Sequence, residues 1–347
     1  MSVSVKLFGK TSKGVPVDLI ELQNSKGTTC RLIQYGAAIQ SLIIADERGK
    51  TDVVLGFDEL SAYEDPANPS HGAVVGRHAN RIENAEFELG GQVYRLFANE
   101  GRNNLHSAPV SFSTVVWDYE ILDKGEEPAV KFSYLSRDGE AGFPGNLDCS
   151  VIYTLTSDNA LYIEYDAVSD KDTVINLTNH AYFNLAGGGS ILDHVLQIEA
   201  DEFSPVNSEL LPDGRLLPVE GTPFDFRAPK KIRQDIGEAD EQLAFGMGYD
   251  HNFVLRGEIG RLRPCARVRE PVSGRTMVVE TTSAGVQLYT GNQMKPVKGK
   301  GGATYDKFGG LCLETQYYPN SLKHRHFPSP VFKAGEHFRH KTIFRFE

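Results

Sequence analysis

Apolar and polar residues alternate along most of this chain with a period of two, which is the pattern of half-buried β-strands. The clearest pair of runs covers residues 147–155 and 161–167, where every second residue is apolar and the residues between are mostly polar. Gly90 and Gly91 separate two shorter alternating runs. Consecutive glycines supply the positive φ angles of a two-residue hairpin turn. The pattern therefore predicts successive antiparallel hairpins.

Helical spacing is scarce by comparison. Residues 235–245 begin with acidic side chains and predict a helix of about three turns, and a single turn is expected near Leu60. Short strands joined by Gly, Asn, Asp and Pro turns favour antiparallel sheets packed face to face. No linker, low-complexity tract or repeat of roughly 20 to 50 residues divides the chain. We therefore predict an all-β fold, a large antiparallel β-sandwich with few short helices, in a single domain over residues 1–347.

Net charge and cysteine usage limit the expected binding partners and the expected cellular compartment. The net charge of −10, from 36 basic and 46 acidic residues, disfavours nucleic acid or an anionic membrane as a partner. No leader pattern opens the sequence, and no apolar run approaches the roughly 20 residues of a membrane span. The cysteines are far apart and form no C-x-x-C pair, so they are expected to be reduced thiols of a cytoplasmic protein. They are Cys30, Cys149, Cys265 and Cys312.

Residues 311–316 contain the most informative charged residue. The alternation predicts a short strand with Leu311 and Leu313 on one face and Glu314 on the other. Glutamate is depleted in strands and is rarely buried unless it is paired or used. The segment alone leaves two interpretations open, namely an edge-strand glutamate that faces water and a functional carboxylate.

Two polar stretches in the first third of the chain are candidates for ligand binding. Residues 76–82 contain Arg77 and Arg81, and arginine offers a planar fork of donors that suits two oxygens at once. Composition alone would make both of them surface residues. Residues 103–106 end at His106 and have the composition of a turn.

A third polar stretch lies at residues 176–185. If its strand is regular, Asn176, Thr178, His180 and Tyr182 share one face. Four hydrogen-bonding residues on one face indicate either solvent or a polar pocket. Histidine has an unperturbed pKa suited to proton transfer near neutrality, so this stretch is a candidate for acid–base chemistry.

Other motifs do not support cofactor chemistry. His324 and His326 could suggest a metal, but no H-E-x-x-H motif and no cysteine pair accompany them. The glycine-rich residues 299–302 lack the preceding strand and following helix of a phosphate site. The G-x-S-x-G motif of serine hydrolases is absent from the sequence. An acid–base reaction without metal or cofactor is what remains.

Taken in order along the chain, the polar stretches resemble the galactose mutarotase (aldose 1-epimerase) family. The match extends from Gly76 to Pro330, and its parts keep the family's order. The family's fold is a large antiparallel β-sandwich, the galactose mutarotase-like supersandwich, which agrees with the periodicity. The matching segments are GRHANRI (76–82), NNLH (103–106), TNHAYFNL (178–185), GTPFDFR (221–227), GYDHNF (248–253), GVQLYTGN (285–292), CLETQYYPNS (312–321) and HFPSP (326–330).

The resemblance implies an isomerase that interconverts the α and β anomers of a free aldohexose such as D-galactose or D-glucose. Glu314 would be the general base that removes the proton of the anomeric hydroxyl. His180 would be the general acid that protonates the ring oxygen. No metal or other cofactor is implied. The residues that the resemblance assigns to sugar binding are Asn80, Arg81, His106, Asp250 and Gln287.

One departure from the family pattern leaves the substrate preference open. Family members commonly have two glycines after the histidine that corresponds to His106, whereas residues 107–112 here read SAPVSF. A hexose-6-phosphate 1-epimerase is the first alternative, but the overall acidity of the chain disfavours an anionic substrate. A non-catalytic sugar-binding protein is the second, and loss of Glu314 or His180 would have favoured it. We expect a free hexose as the ligand, no nucleic acid or membrane, and a monomer or homodimer.

Overall fold

Antiparallel strands form most of the regular structure in this computed structural model, which describes residues 1–68, 70–122 and 127–347. A five-stranded N-terminal sheet has the spatial order Ser2–Lys10, Pro16–Gln23, Thr29–Ile33, Ala38–Asp46 and Gly49–Asp52. A nine-stranded sheet has the order Asp118–Leu122, Ala129–Ser136, Leu147–Leu155, Ala160–Ser169, His337–Phe346, Thr276–Thr281, Arg263–Arg269, Val195–Ile198 and Lys230–Lys231. A second five-stranded sheet, called the 200–316 sheet below, has the order Leu217–Pro218, Ala200–Ser204, Asp250–Leu255, Gly285–Tyr289 and Cys312–Gln316.

Short two-stranded pairs accompany the larger sheets. The described residues contain Val74–Val75 with Thr178–Asn179, Arg81–Ile82 with Asn104–Leu105, Glu86–Leu89 with Gln92–Arg95, Thr173–Val174 with Val331–Phe332, and Val297–Lys298 with Thr304–Tyr305.

The predicted hairpins are confirmed. Leu147–Leu155 pairs with Ala160–Ser169, and the apolar residues that the alternation marked, such as Val151 and Tyr153, are buried. Glu86–Leu89 pairs with Gln92–Arg95 around the two glycines, whose φ angles are 61° and 80°. Both hairpins follow from local signals, because the turn residues and the period of two lie within a few residues of each other.

One hydrophobic cluster joins the three larger sheets. It contains Ile20 from the N-terminal sheet, Tyr153 from the nine-stranded sheet, and Phe253 and Leu313 from the 200–316 sheet. Sheets that each carry one apolar face must cover that face against another layer, and mutual burial removes both faces from water. The all-β sandwich predicted from the sequence is confirmed.

The helices are short. Leu60–Glu64 makes the single turn expected near Leu60. The prediction of a helix from residue 235 is wrong about its start, because the helix comprises Glu241–Gly246. The Asp240 side chain accepts the N–H groups of Gln242 and Leu243 and so caps the helix five residues later than expected. Within the described part of the chain, no helix combines the length and apolar character needed to cross a membrane.

Candidate active site

Polar side chains form rows across one face of the 200–316 sheet. Directly opposite residues of antiparallel strands share a face. Glu314 lies opposite Gln287, and Gln287 lies opposite Asn252. Tyr289 likewise lies between Cys312 and Asp250. The strand alternation therefore brings residues from three distant segments onto one polar surface.

A cavity of about 380 Å³ opens at this surface. Six of the seven residues predicted to form the site line it, namely Asn80, Arg81, His106, His180, Asp250 and Glu314. The seventh, Gln287, is buried beside the cavity and donates from Nε2 to Asp250 Oδ1 at 2.7 Å. Gln287 therefore acts on the site through Asp250.

Glu314 lies deep in this cavity, with 2% of its surface exposed. The interpretation of Glu314 as a water-facing edge residue is therefore wrong, since segments far away in sequence cover its strand. Its Oε1 is 3.6 Å from Nε2 of His180. Burial, reinforced by the negative charge of Asp250 and opposed by Arg81, raises the pKa of Glu314 to about 8.

His180 follows the two-residue strand Thr178–Asn179 and is also buried. The main-chain N–H of His180 donates to the carbonyl oxygen of Ala73 at 2.9 Å, and its main-chain carbonyl oxygen accepts the N–H of Gly72 at 3.0 Å. The ring is 5.0 Å from the ring of Tyr182, centroid to centroid. Burial lowers the pKa of His180 to about 4.

The predicted polar face of residues 176–182 is only half correct. His180 and Tyr182 line the cavity, but the strand ends at Asn179 and the alternation does not continue through it. Asn176 instead accepts the N–H of Tyr317 at 2.9 Å and donates to the carbonyl oxygen of Ala79. Its side chain therefore fixes the main chain that carries the site.

His106 has a proton arrangement that its main-chain neighbour determines. The N–H of Asn80 donates to Nδ1 of His106 at 3.0 Å. A nitrogen that accepts a hydrogen bond carries no proton, so the neutral ring holds its proton on Nε2. Burial, with the nearby His180 and Arg81, lowers the pKa of His106 well below its usual value. His106 is therefore a fixed, neutral hydrogen-bond donor.

The ligand atoms of His106, His180 and Glu314 lie within 4.8 Å of one another, which is a geometry that could hold a cation. The tautomer of His106 opposes that use. Its Nδ1 is occupied by the Asn80 N–H, and its Nε2 bears the proton, so the neutral ring offers no free lone pair. The three groups are better suited to hydrogen bonding and proton exchange.

The other candidate metal ligands have structural roles. Nε2 of His324 is 3.0 Å from the carbonyl oxygen of Pro212, and Nε2 of His326 is 2.7 Å from that of Gly214. Both contacts hold the 212–214 turn.

Arg81, Glu100 and Asp250 form a network of charged side chains in the cavity lining. Arg81 donates from Nε and Nη2 to the two carboxylate oxygens of Glu100, at 2.6 and 2.8 Å. Its Nη1 is 4.0 Å from Asp250 Oδ2. Burial raises the pKa of Asp250, while Arg81 and Gln287 oppose that shift. The carboxylates and the guanidinium group together offer acceptors and donors to neighbouring hydroxyl groups.

The choice of Arg81 over Arg77 agrees with the geometry. Arg77 is buried away from the cavity and donates to main-chain carbonyl oxygens of residues 136, 137, 144 and 145 as well as to Ser136 Oγ. It is therefore neither a surface residue nor a ligand-binding one. Its hydrogen bonds tie the 136–145 turn to the segment that carries Asn80 and Arg81.

The atypical loop at residues 107–112 packs behind the site. Ser107 accepts the N–H of His78 and donates to the carbonyl oxygen of the same residue. Ser111 caps a short turn of 3₁₀ helix that begins at Phe112. Within the described part of the chain, the cavity lining from this region stops at His106. The departure from the family pattern therefore affects the support of the cavity and not its surface.

Several residues that line the cavity were not predicted from the sequence. Glu100, His71 and Tyr289 all line the cavity, and the rings of His71 and Tyr182 are stacked at 4.5 Å. A signal existed for Tyr289, because it alternates with Gln287 in a strand that was already a candidate. Lys295 also lines the cavity. His71 and Lys295 lie in loops, where no periodicity indicates which side a residue faces.

Comparisons with known proteins agree with this site. The sequence profile of a family described as aldose 1-epimerase matches residues 18–345. The galactose mutarotase of Bos taurus is 43% identical over 351 residues, covering 100% of this chain and 99% of that protein. The aldose 1-epimerase of Haemophilus influenzae is 39% identical, covering 96% and 97%. The crystal structure of galactose 1-epimerase from Lactobacillus acidophilus has a TM-score of 0.89 and 28% identity, covering 100% and 99%.

Proposed function

The chain belongs to the aldose 1-epimerase family, and we propose that Glu314 and His180 perform the acid–base chemistry of its reaction on free aldohexoses such as D-galactose and D-glucose. The protein is an isomerase that interconverts the α and β anomers of its sugar. The observation that carries the proposed roles is the 3.6 Å separation of Glu314 Oε1 and His180 Nε2 inside a buried cavity. A sugar can present its anomeric hydroxyl to one group and its ring oxygen to the other.

Ring opening moves one proton at each end of the breaking bond. The Glu314 carboxylate removes the proton of the anomeric hydroxyl, and the electron pair of that O–H bond forms the carbonyl group at C1. The bond between C1 and the ring oxygen breaks, and its electron pair accepts the proton from Nε2 of His180. Rotation about the C1–C2 bond exposes the other face of the aldehyde. The same steps in reverse close the ring as the other anomer.

The pair of residues needs one proton in total for this cycle. With the ring closed, the proton is on His180 and Glu314 is ionised; with the ring open, the proton is on Glu314 and His180 is neutral. Burial raises the pKa of Glu314 to about 8 and lowers that of His180 to about 4, so it favours the second arrangement. The site thus stabilises the proton positions of the open-chain intermediate.

The two histidines of the cavity differ in what they can do with a proton. His106 cannot gain a second proton without losing the hydrogen bond from the Asn80 N–H to its Nδ1. Among the described residues, no main-chain N–H donates to Nδ1 of His180; the side chain there is the Cys312 thiol at 3.5 Å, and the direction of that contact depends on the tautomer of the ring. This difference supports His180 as the proton-exchanging residue and His106 as a fixed donor to the sugar.

Sugar binding is assigned to Asn80, Arg81, His106 and Asp250, with Gln287 orienting Asp250. With Glu314 mostly protonated below pH 8, the charged groups of the lining are the carboxylates of Glu100 and Asp250 and the cations of Arg81 and Lys295. Arg81 is already paired with Glu100, so the described part of the lining presents no cluster of unpaired cations to a phosphate group, which favours a neutral hexose over a 6-phosphorylated one.

Polarimetry tests the function directly. Freshly dissolved α-D-galactose is expected to reach equilibrium rotation faster with the protein than without it, and the same assay with D-glucose ranks the two hexoses. An unchanged rate with both sugars would contradict the proposal. Acceleration confined to a 6-phosphorylated hexose would support the phosphate-specific alternative instead.

We also propose a cytoplasmic location, a monomeric or homodimeric state, and a single domain over residues 1–347. The cysteines support the first point, because Cys30, Cys149, Cys265 and Cys312 are all buried free thiols. The hydrophobic cluster that joins the three larger sheets supports the third. Fractionation, sedimentation velocity and limited proteolysis test these points in turn.

The pH dependence of kcat/KM is expected to be bell-shaped, with limbs near pH 4 and pH 8, from the pKa values of His180 and Glu314. Below the lower limb both groups are protonated and no base remains. Above the upper limb both are deprotonated and no acid remains. Because Glu314 and His180 are in contact, the two apparent pKa values that the profile reports describe the coupled pair and not either residue alone. Polarimetry across this range, corrected for the uncatalysed rate, measures it; a kcat/KM that keeps rising above pH 8 would contradict the one-proton scheme.

Asp250→Asn is expected to raise KM by about 10- to 100-fold, because a charge-assisted hydrogen bond to the sugar contributes roughly 1.5–3 kcal/mol. The charge of Asp250 raises the pKa of Glu314, so the variant should also move the upper limb to lower pH. Asp225→Asn is the matched control, because that aspartate pairs with Arg227 outside the cavity. An unchanged KM together with an unchanged upper limb would remove Asp250 from the site.

A further inference from the structure

The thiol of Cys312 is the side chain that faces the second ring nitrogen of His180. Cys312 begins the strand Cys312–Gln316 and lies on the same face as Glu314. Its Sγ is 3.5 Å from Nδ1 of His180, within hydrogen-bond range for sulfur. The side chain is fully buried. Burial, reinforced by the charges of Glu314 and Asp250, raises the pKa of the thiol far above its usual value, so the sulfur stays neutral.

The reaction cycle sets a requirement on this nitrogen. If Nε2 of His180 gives its proton to the ring oxygen and later takes it back, the ring must keep its other proton on Nδ1 throughout. A neutral imidazole in water can exchange that proton between its two nitrogens. A neutral ring with its proton on Nε2 could not accept the proton during ring closure. The tautomer of His180 therefore has to be controlled by what faces Nδ1.

The surroundings of Nδ1 are suited to holding a proton there. A neutral thiol accepts a hydrogen bond weakly through its sulfur and donates one weakly through its S–H, so the contact permits a proton on Nδ1. The main chain of His180 itself opposes the lowering of the pKa of the ring by burial, so it also favours a proton on the ring. His106 is the internal contrast, since a main-chain N–H donates to its Nδ1 and forces the opposite tautomer. The two rings lie 5.4 Å apart.

We propose that Cys312 is a positioning residue whose sulfur accepts the Nδ1–H of His180 and so reserves Nε2 for proton exchange with the sugar. This inference rests on the proposed role of His180. The position of the His180 ring depends on different neighbours from those that set its tautomer. Tyr182 and His106 pack against the ring, with centroids 5.0 and 5.4 Å from its own. Removing the sulfur should therefore change where the proton lies without turning the ring.

Nitrogen-15 NMR of histidine-labelled protein measures the tautomer directly. At a pH between 6 and 7, where burial keeps His180 neutral, the wild-type ring is expected to carry its proton on Nδ1. The signal among the ten histidines is assigned by its loss in His180→Asn. Cys312→Ala should shift the population toward the Nε2–H form, and Cys312→Ser, whose hydroxyl oxygen can accept, should restore the Nδ1–H form.

Kinetics give the second readout. Cys312→Ala is expected to lower kcat about fivefold, the effect of one weak hydrogen bond, with KM unchanged because Cys312 is buried and is not among the described residues that line the cavity. Cys312→Ser should recover kcat to within about twofold of wild type. Cys265→Ala is the matched control, because it removes an equally buried thiol from the nine-stranded sheet and should alter neither kcat nor the tautomer.

Two results would overturn the inference. One is a wild-type His180 with its proton on Nε2. The other is a Cys312→Ala protein whose tautomer matches wild type, whatever its kcat, since a loss of rate alone would then reflect packing. Failure of the proposed function is a separate result: a His180→Asn protein that retains wild-type kcat would remove His180 from catalysis, while the NMR measurement on the wild-type protein would still report which ring nitrogen carries the proton.

Discussion

Replacing Glu314 by glutamine is expected to lower kcat by about 10²- to 10⁴-fold, the usual contribution of one positioned acid or base. The amide keeps the size and most hydrogen-bonding capacity of the side chain but cannot accept the proton of the anomeric hydroxyl. KM should change little, because Arg81 and Asp250 hold the sugar in this scheme. Polarimetry at several sugar concentrations separates the two constants. A variant that retains more than a tenth of the wild-type kcat would mean that another group removes the proton.

The same variant has an expected effect on stability that opposes its effect on rate. The pKa of Glu314 is raised from 4.5 to about 8 in the folded protein, so the folded state binds the proton more tightly. Wild-type stability due to this group is fully present below pH 4.5 and is lost as the pH rises toward 8. Glu314→Gln lacks this loss, so thermal unfolding near pH 8 should occur at an equal or higher temperature. Glu270→Gln, which alters a buried glutamate that accepts two main-chain N–H groups elsewhere, should keep kcat and lose stability.

His180→Asn is expected to lower kcat by a similar factor of about 10²- to 10⁴-fold, because no proton then reaches the ring oxygen as the bond breaks. The lower limb of the pH profile, near pH 4, should disappear with the imidazole. The fold should remain, since the main-chain bonds of residue 180 to Gly72 and Ala73 do not involve the side chain. Circular dichroism verifies the fold, and polarimetry measures the rate.

His194→Asn provides the matched control for His180→Asn. His194 is also buried, but its Nε2 accepts the N–H of Leu185 outside the cavity. Its replacement should reduce stability and leave kcat near the wild-type value. If both histidine variants lost activity to the same extent, the effect would be structural, and the proposed catalytic role of His180 would be contradicted.

Local patterns predicted the hairpins but not every boundary. Leu147–Leu155 and its partner strand combine period two with a turn, so all the information lies within about twenty residues. The helix was expected from Asp235 and begins after Asp240, although both residues are plausible caps. Which aspartate caps depends on where its side chain reaches N–H groups, and that is decided by packing around the helix.

The site was recognisable from motifs, whereas its burial was not. Alternation marked the face of Glu314, but the covering groups come from residues more than 130 positions away, such as His180 and Arg81. Arg77 and Arg81 look alike in the sequence; contacts to the distant 136–145 turn make one structural and leave the other in the cavity. The role of Gln287 also depends on strand register, which no single segment contains.

The rows across the 200–316 sheet tie the function of the protein to the alignment of its strands. Because Gln287 lies opposite both Glu314 and Asn252, the polar surface beneath the cavity exists only in one pairing of the three strands. Inserting or deleting one residue within Gly285–Tyr289 would turn Gln287 and Tyr289 into the hydrophobic core and bring Val286 and Leu288 to the polar surface. The sheet can therefore accept substitutions, whereas insertions and deletions are accepted only in the loops. New substrate preferences would accordingly arise from the loop segments around the mouth of the cavity.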